Sequence, residues 1–275
     1  MRTISGALTF LAILLLVLNQ ACDSDVPELF SIDDEKALAS ELLVWVGEDT
    51  TKTIFSPEDY PEAYSYAQGI IDDVFEADSV NEESLFVHAE DFVWEVFFIN
   101  DSDINAFVTP GGKIFVDSGL IQLLDSKDEF ASLIFHLMAH ADQRHVIKQL
   151  LVYFSISELK QAAQGTNSVA LNEIGANLLG DRIAFTFSQG DEKEVDNLTV
   201  EYLALGGYAC DAALGFYQEL NKQEQQGNPP AFYDAHDLTT DRLTDIETKV
   251  SFMQCNTDSE VEGGFTFQDF QNSIK

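Results

Sequence analysis

Basic residues are scarce in this chain: 14 lysines and arginines stand against 48 aspartates and glutamates among 275 residues, a formal charge of -34. Such a surplus repels a phosphate backbone, which excludes nucleic acid as a partner. The acids are spread along the whole sequence, and aromatic residues make up 11% of it, which excludes a disordered acidic tail as the general reading. The excess fits a saline habitat as well as a specific electrostatic role. No internal repeat is present. A long apolar run is also missing: Ala7 to Leu18 is the longest candidate and is too short for a comfortable membrane span. What remains is a chain with 45% hydrophobic residues, enough for one substantial domain with appendages.

Residues 1–21 read as an export signal, with Arg2 before the apolar run. The run ends in Asn19-Gln20-Ala21-Cys22, which resembles a bacterial lipoprotein cleavage site with Cys22 as the lipidated residue, although Asn19 stands where leucine is usual. Ordinary cleavage after Ala21 is the alternative. Either way the expected location is the bacterial cell envelope, facing the periplasm, with a lipid anchor to a membrane in the first case. Residues 22–35 read as an acidic tether. With Cys22 lipidated, Cys210 and Cys255 remain as a pair that an oxidising compartment would allow to bond, or as two unrelated buried thiols.

Helical patterning starts near Glu35, with Leu38, Leu42, Leu43 and Val46 on one side, and recurs over 61–75 with Tyr64, Ala67, Ile70, Ile71 and Val74 inward. The period then changes. Phe92 to Ile99 is rich in β-branched and aromatic residues and reads as a buried strand, Asp101-Ser102-Asp103 as a turn, and Lys113 to Val116 as a second strand after Pro110-Gly111-Gly112. From Asp128 onward the pattern is helical, beginning with one helix to about Leu150. The main domain is expected over 36–255, with 256–275 as an acidic, peripheral extension.

Within that helix lies His136-Leu137-Met138-Ala139-His140. Spacing of four places both imidazoles on one helical face, where they can share a metal or pack as ordinary core residues. Downstream, Glu192 could add an oxygen ligand, and Asp196, one turn later, could accept a hydrogen bond from a ligand histidine. Two histidines and one carboxylate would leave a fourth tetrahedral position open, the pattern of a catalytic zinc.

Three longer blocks carry a resemblance. The first is Asn105 to Leu120, read as NAFVTPGGKIFVDSGL; the second runs from Asp128-Glu129-Phe130-Ala131 through His136 and His140 to Arg144-His145; the third is Glu192-x-x-Val195-Asp196 followed by Gly207-Tyr208. A weaker fourth joins His236 to Asp241-Arg242-Leu243. Together they resemble peptidase family M48, the zinc metallopeptidases that include heat-shock and prenyl-protein endopeptidases. The resemblance implies an α+β, mostly helical, zincin-like metallopeptidase domain with a small β-sheet against the active-site helix. It also implies one zinc ion held by His136, His140 and Glu192, and a polypeptide substrate or client. The glycine turn and strand of the first block, Gly111, Gly112, Lys113 and Ile114, read either as an edge that binds an extended peptide by strand addition or as a core hairpin. His236 falls near the cleft, as a cap on the metal, a substrate contact or a surface residue.

The departures bear on mechanism. Gln189 stands where the family often has arginine, and Asp237 replaces a proline. Leu137 occupies the position of the general-base glutamate in H-E-x-x-H, and it can accept no proton from the attacking water. Neither Asp142, which points off the metal face, nor Glu129, nearly two turns earlier, reaches the site. The expectation is a metallopeptidase fold that binds extended or unfolded polypeptide with lost or very low peptidase activity. The alternatives are an active endopeptidase with another proton acceptor and a metal-free structural lipoprotein.

Overall fold

The computed structural model describes residues 29–49, 52–178, 186–258 and 263–275; the signal segment and Cys22 lie outside them. Helix α1 (Ile32–Glu48) begins at Ser31, whose side chain and that of Asp34 form a capping box. It starts earlier than the tether reading allows. Phe30 is fully buried and Glu35 is buried against Arg144, so the described end of the 22–35 segment belongs to the folded domain. Helix α2 (Pro61–Asp78) opens with proline at its first position and buries Ala67, Ile70, Ile71 and Val74 of the face its period predicts, with Tyr64 half-buried.

The strands are β1 (Glu95–Ile99), β2 (Ala106–Val108) and β3 (Lys113–Asp117). Their order is β1-β3-β2, with β1 parallel and β2 antiparallel to β3. The first strand is shorter than the 92–99 run. Phe92 and Trp94 instead cover the turn at Gly112, where a Cβ would lie 3.1 Å from each of them and φ is +92°. The placement of β3 overturns the edge reading of Gly111 to Ile114: that strand is the middle one, bonded on both sides, and offers no free backbone. Lys113 is buried and ion-paired with Glu95 of β1. The core-hairpin reading describes this block, and the edge strands of the sheet are β1 and β2.

After the short α3 (Ser118–Leu123) comes α4 (Lys127–Asp142), in which every residue from Asp128 to Asp142 is buried. A helix covered all round is a core helix. It packs against β2, β3 and the later helices α8 (Gln189–Leu205) and α9 (Ala212–Gln225). The single helix expected to Leu150 is two. Arg144 turns left-handed at φ 58° and separates α4 from α5 (His145–Tyr153). Its Nε donates to Glu35 Oε1 at 2.7 Å and its guanidinium to the Phe30 carbonyl at 2.6 Å, and these bonds hold a conformation that non-glycine residues seldom adopt. Helices α6 (Ile156–Ala163) and α7 (Ser168–Leu178) pack with α1 into a second apolar cluster. The rest is α10 (Phe232–Ala235), α11 (Thr240–Met253) and α12 (Phe267–Ser273).

The acidic end is not peripheral. Phe267, Phe270 and Ile274 are buried in the main core, where Phe270 meets Tyr66, Phe98 and Phe130 at ring-centroid distances of 5.0–5.3 Å. Spacings of three and four give that segment an apolar helical face despite its charge. A disulfide joins Cys210 to Cys255 and ties the start of α9 to the end of α11.

Candidate metal centre

Helix α4 delivers His136 and His140 to one face, and α8, lying along it, delivers Glu192 and Asp196 one turn apart. The start of α8 is set by a capping box between Ser188 and Asp191, which fixes the depth at which Glu192 enters. A fourth group joins them. His236, at the end of α10, is 2% exposed and stacks on Phe232 at 4.2 Å. One ligand atom from each of His136, His140, Glu192 and His236 lies within 4.8 Å of all the others.

The separations are 3.1 Å from His136 Nε2 to His236 Nδ1, 3.0 Å from His236 Nδ1 to Glu192 Oε1, 3.4 Å from His140 Nε2 to Glu192 Oε1 and 3.7 Å from His136 Nε2 to Glu192 Oε2. Bonds of zinc to nitrogen and oxygen near 2 Å give a tetrahedron with edges of roughly 3.3 Å, so the four groups are spaced for one such ion. The protonation of His136, His140 and Glu192 suits it as well. Complete burial holds the His136 imidazole well below its usual pKa, helped by neighbouring His140, and burial brings His140 down to about 3. Burial alone would raise Glu192, but the facing His236 and His140 more than offset it and keep the carboxyl well below its usual value. Neutral imidazoles and an ionised carboxylate are the forms that bind a metal. His140 Nε2 is buried with no hydrogen bond among the described residues, which an isolated apolar core would not tolerate without cost. The donor set therefore fits zinc.

Around this cluster is a layer of bonds to the far sides of the ligands. Tyr217 of α9 stands between His136 and Asp196: its hydroxyl is 3.3 Å from His136 Nδ1 and donates to Asp196 Oδ1 at 3.1 Å. Asp196 lies 3.8 Å from His136, so it acts on that ring through the tyrosine and not directly. Its own carboxylate is gripped by Arg242, which donates Nε to Oδ2 and Nη2 to Oδ1, both at 2.8 Å. The same guanidinium lies 2.7 Å from Glu192 Oε2. On the other side, His145 Nδ1 is 3.3 Å from His140 Nδ1, and Phe187 stacks on His140 at 3.8 Å. Tyr217 and Phe187 escape sequence reasoning because each looks like one more aromatic core residue. The role of Arg242 has only the weak fourth block as its signal.

Leu137 is fully buried and lines an apolar cavity of about 50 Å³ together with Ala106, Phe107, Val108, Phe187 and His236. The position after the first histidine thus faces the β2 side of the site with a hydrocarbon. Asp142 points away, accepting from the Val87 and His88 amides, and Glu129 accepts from the Asp125 amide. Gly111 and Gly112 take no part in the cluster.

The model of peptidase family M48 matches residues 68–250. The chain belongs to peptidase family M48. It is 30% identical over 159 residues to a putative beta-barrel assembly-enhancing protease of Vibrio cholerae, covering 54% of this chain and 33% of that protein. It is 34% identical over 137 residues to the mitochondrial metalloendopeptidase OMA1 of Arabidopsis thaliana, covering 49% of this chain and 27% of the relative. A third relative, the beta-barrel assembly-enhancing protease of Escherichia coli, is 26% identical over 168 residues, 58% of this chain and 34% of the other. The chain spans about a third of the length of these bacterial relatives. It is a metallopeptidase-like protein of a zinc-dependent family, with a His-His-Glu-His cluster able to hold a metal.

Proposed function

We propose that this M48 protein binds zinc through His136, His140, Glu192 and His236 and retains little or no peptidase activity. On this reading it engages extended or unfolded polypeptide at the site without cutting it efficiently. The observation that carries the reading is Leu137, a fully buried hydrocarbon that lines the cavity beside His236 at the position of the general base. Asp196, 3.8 Å from His136, is occupied by Arg242 and Tyr217. When bound, zinc supplies Lewis-acid polarisation of a peptide carbonyl and of water. Leu137 cannot take the proton from that water or return it to the leaving amine, a contribution of about 10²- to 10⁴-fold in rate.

His236 supports the same conclusion. Three protein ligands would leave a position for substrate, whereas a fourth residue at 3.0–3.1 Å from its neighbours closes the set, the pattern of a structural zinc. A polypeptide would lie along β2, whose outer edge is paired by no strand among the described residues, with an apolar side chain towards the cavity under Leu137. Envelope location and export are part of the proposal. They rest on the N-terminal sequence and on the Cys210–Cys255 disulfide, which persists in oxidising compartments; among the described residues no helix is long and apolar enough to cross a membrane. A role beside β-barrel assembly, the activity named for two of the relatives, is one setting in which an unfolded client would be met.

The test is cleavage of an unfolded protein by the purified full chain, with and without chelator. The expected result is zinc detected by elemental analysis and no cleavage above that of His136→Ala. Robust, chelator-sensitive cleavage that His136→Ala abolishes would establish the alternative, an active endopeptidase.

A further inference from the structure

The 101–103 turn between β1 and β2 takes no part in the histidine cluster, yet it carries a second convergence of ionisable groups. Asp101, Asp103 and Asp117 each offer one oxygen, and the three lie within 4.8 Å of one another. Their backbone is held in place. The Asp103 amide donates to Asp101 Oδ1 at 3.0 Å, and the Asp101 carbonyl accepts from the Gly119 amide at 2.8 Å and from Ser118 Oγ at 2.9 Å. A Cβ on Gly119 would lie 2.2 Å from the Ser102 carbonyl oxygen, so the turn presses on the start of α3 in a way that only glycine permits.

The charges in this pocket are not balanced. Asp117 is 2% exposed, and its Oδ2 is buried with no hydrogen bond among the described residues. The counter-ion is Lys52, whose Nζ sits 2.8 Å from Asp101 Oδ2 but 3.8 Å from Asp103 and 3.9 Å from Asp117. One ammonium thus faces three carboxylates and is beyond hydrogen-bonding length from two of them. Burial pushes the Asp117 carboxyl up to about 8; Lys52 pulls it down, and the adjacent Asp101 and Asp103 push it up again. A buried carboxylate without a hydrogen bond is costly unless something pairs with it.

We propose that Asp101, Asp103 and Asp117 form a binding site for a hard divalent cation of the calcium class, which takes the place of the Lys52 ammonium among the three carboxylates. An all-oxygen set of irregular shape suits calcium, which accepts six to eight oxygens in flexible geometry and can complete its shell with water. Magnesium demands a tighter octahedron. Zinc prefers the nitrogen-rich cluster on α4. The site lies directly before Asn105 to Val108, so a bound ion clamps the turn that leads into the edge strand lining the cavity.

The experiment is calorimetric titration of the full chain with calcium chloride alone, in about 0.15 M potassium chloride to screen diffuse binding to the acidic surface. The expected result is one saturable site, weakened at least about tenfold in Asp117→Asn and in Asp103→Asn and tightened in Lys52→Gln, where the competing ammonium is gone. Asp103 is largely exposed, so its variant remains informative if Asp117→Asn fails to fold. His136→Ala should leave calcium binding unchanged. Absence of a saturable site, equal affinity in wild type and Asp103→Asn, or weaker binding in Lys52→Gln would each overturn the proposal.

Discussion

Two clusters of ionisable groups, one wholly buried around His136 and His140 and one of aspartates in which Asp117 alone is buried, are balanced in opposite ways. In the histidine cluster the acids share one guanidinium: Arg242 forks onto Asp196, lies in ion-pair distance of Glu192 and bonds Tyr217. Glu192 stays ionised, and burial holds His136 and His140 in their neutral forms. In the aspartate cluster a single flexible lysine faces three carboxylates, and the most buried one, Asp117, is pushed towards its protonated form. The difference teaches that burial alone does not define a metal site. The rigid guanidinium fork fixes charge and geometry together, whereas a lysine is a point charge that a stronger cation can replace.

Breaking the first cluster should give the largest effects. His136→Ala is expected to abolish zinc retention after gel filtration, read by elemental analysis, while Asp103→Asn leaves the zinc content at the wild-type value. Arg242→Ala strands two buried carboxylates, and urea unfolding should show a loss of about 3–5 kcal/mol, the range for breaking a buried pair by removing one partner. Arg242→Lys should recover part of this and not all, because the bidentate bond cannot form. Leu137→Glu sharpens the comparison from the other side. With the ligands kept, it should give measurable chelator-sensitive cleavage, and more in combination with His236→Ala, which reopens a position. No gain in either variant with zinc bound would mean that the site has drifted by more than these residues.

The smallest effect concerns pH and the second cluster. A carboxyl whose folded pKa is raised from 3.8 to about 8 favours the folded state while it is protonated. Its contribution is therefore fully present below pH 4 and is lost as pH rises towards 8. Asp117→Asn carries no such titration, so the fall in its melting temperature between pH 5 and 8 should be shallower than in wild type. Identical slopes would remove Asp117 as the source. Asp142, also raised by burial, is bonded to two amides and serves as the contrast.

Much of this was legible as pattern. The apolar face of α2 follows from a period of 3.6 and is buried as the period requires. The pair His136 and His140 shares a face by helical geometry, and Glu192 and Asp196 lie one turn apart for the same reason. Other features were not legible, for particular physical reasons. The run from Phe92 to Ile99 has strand composition throughout, but its first residues are drawn off to cover Gly112. The helix beyond His140 has no glycine or proline to stop it; it breaks at Arg144 because distant Glu35 and Phe30 bind that side chain. Charge disguised the last helix, whose Phe267, Phe270 and Ile274 enter the core. Tyr217 and Phe187 carry no motif.

Sequence alone determined the local terms: which helical faces are apolar, which two histidines point together, and that a leucine occupies the place of a proton acceptor. Each depends on residues within a turn or two of one another, where the backbone period dictates direction. Tertiary structure decided what lies between distant segments. It put β3 in the middle of the sheet and left β2 at one edge, brought His236 from 100 residues away to His136, and set Arg242 between two acids of α8. Those outcomes come from packing whole elements against one another, and no short window of residues holds that information.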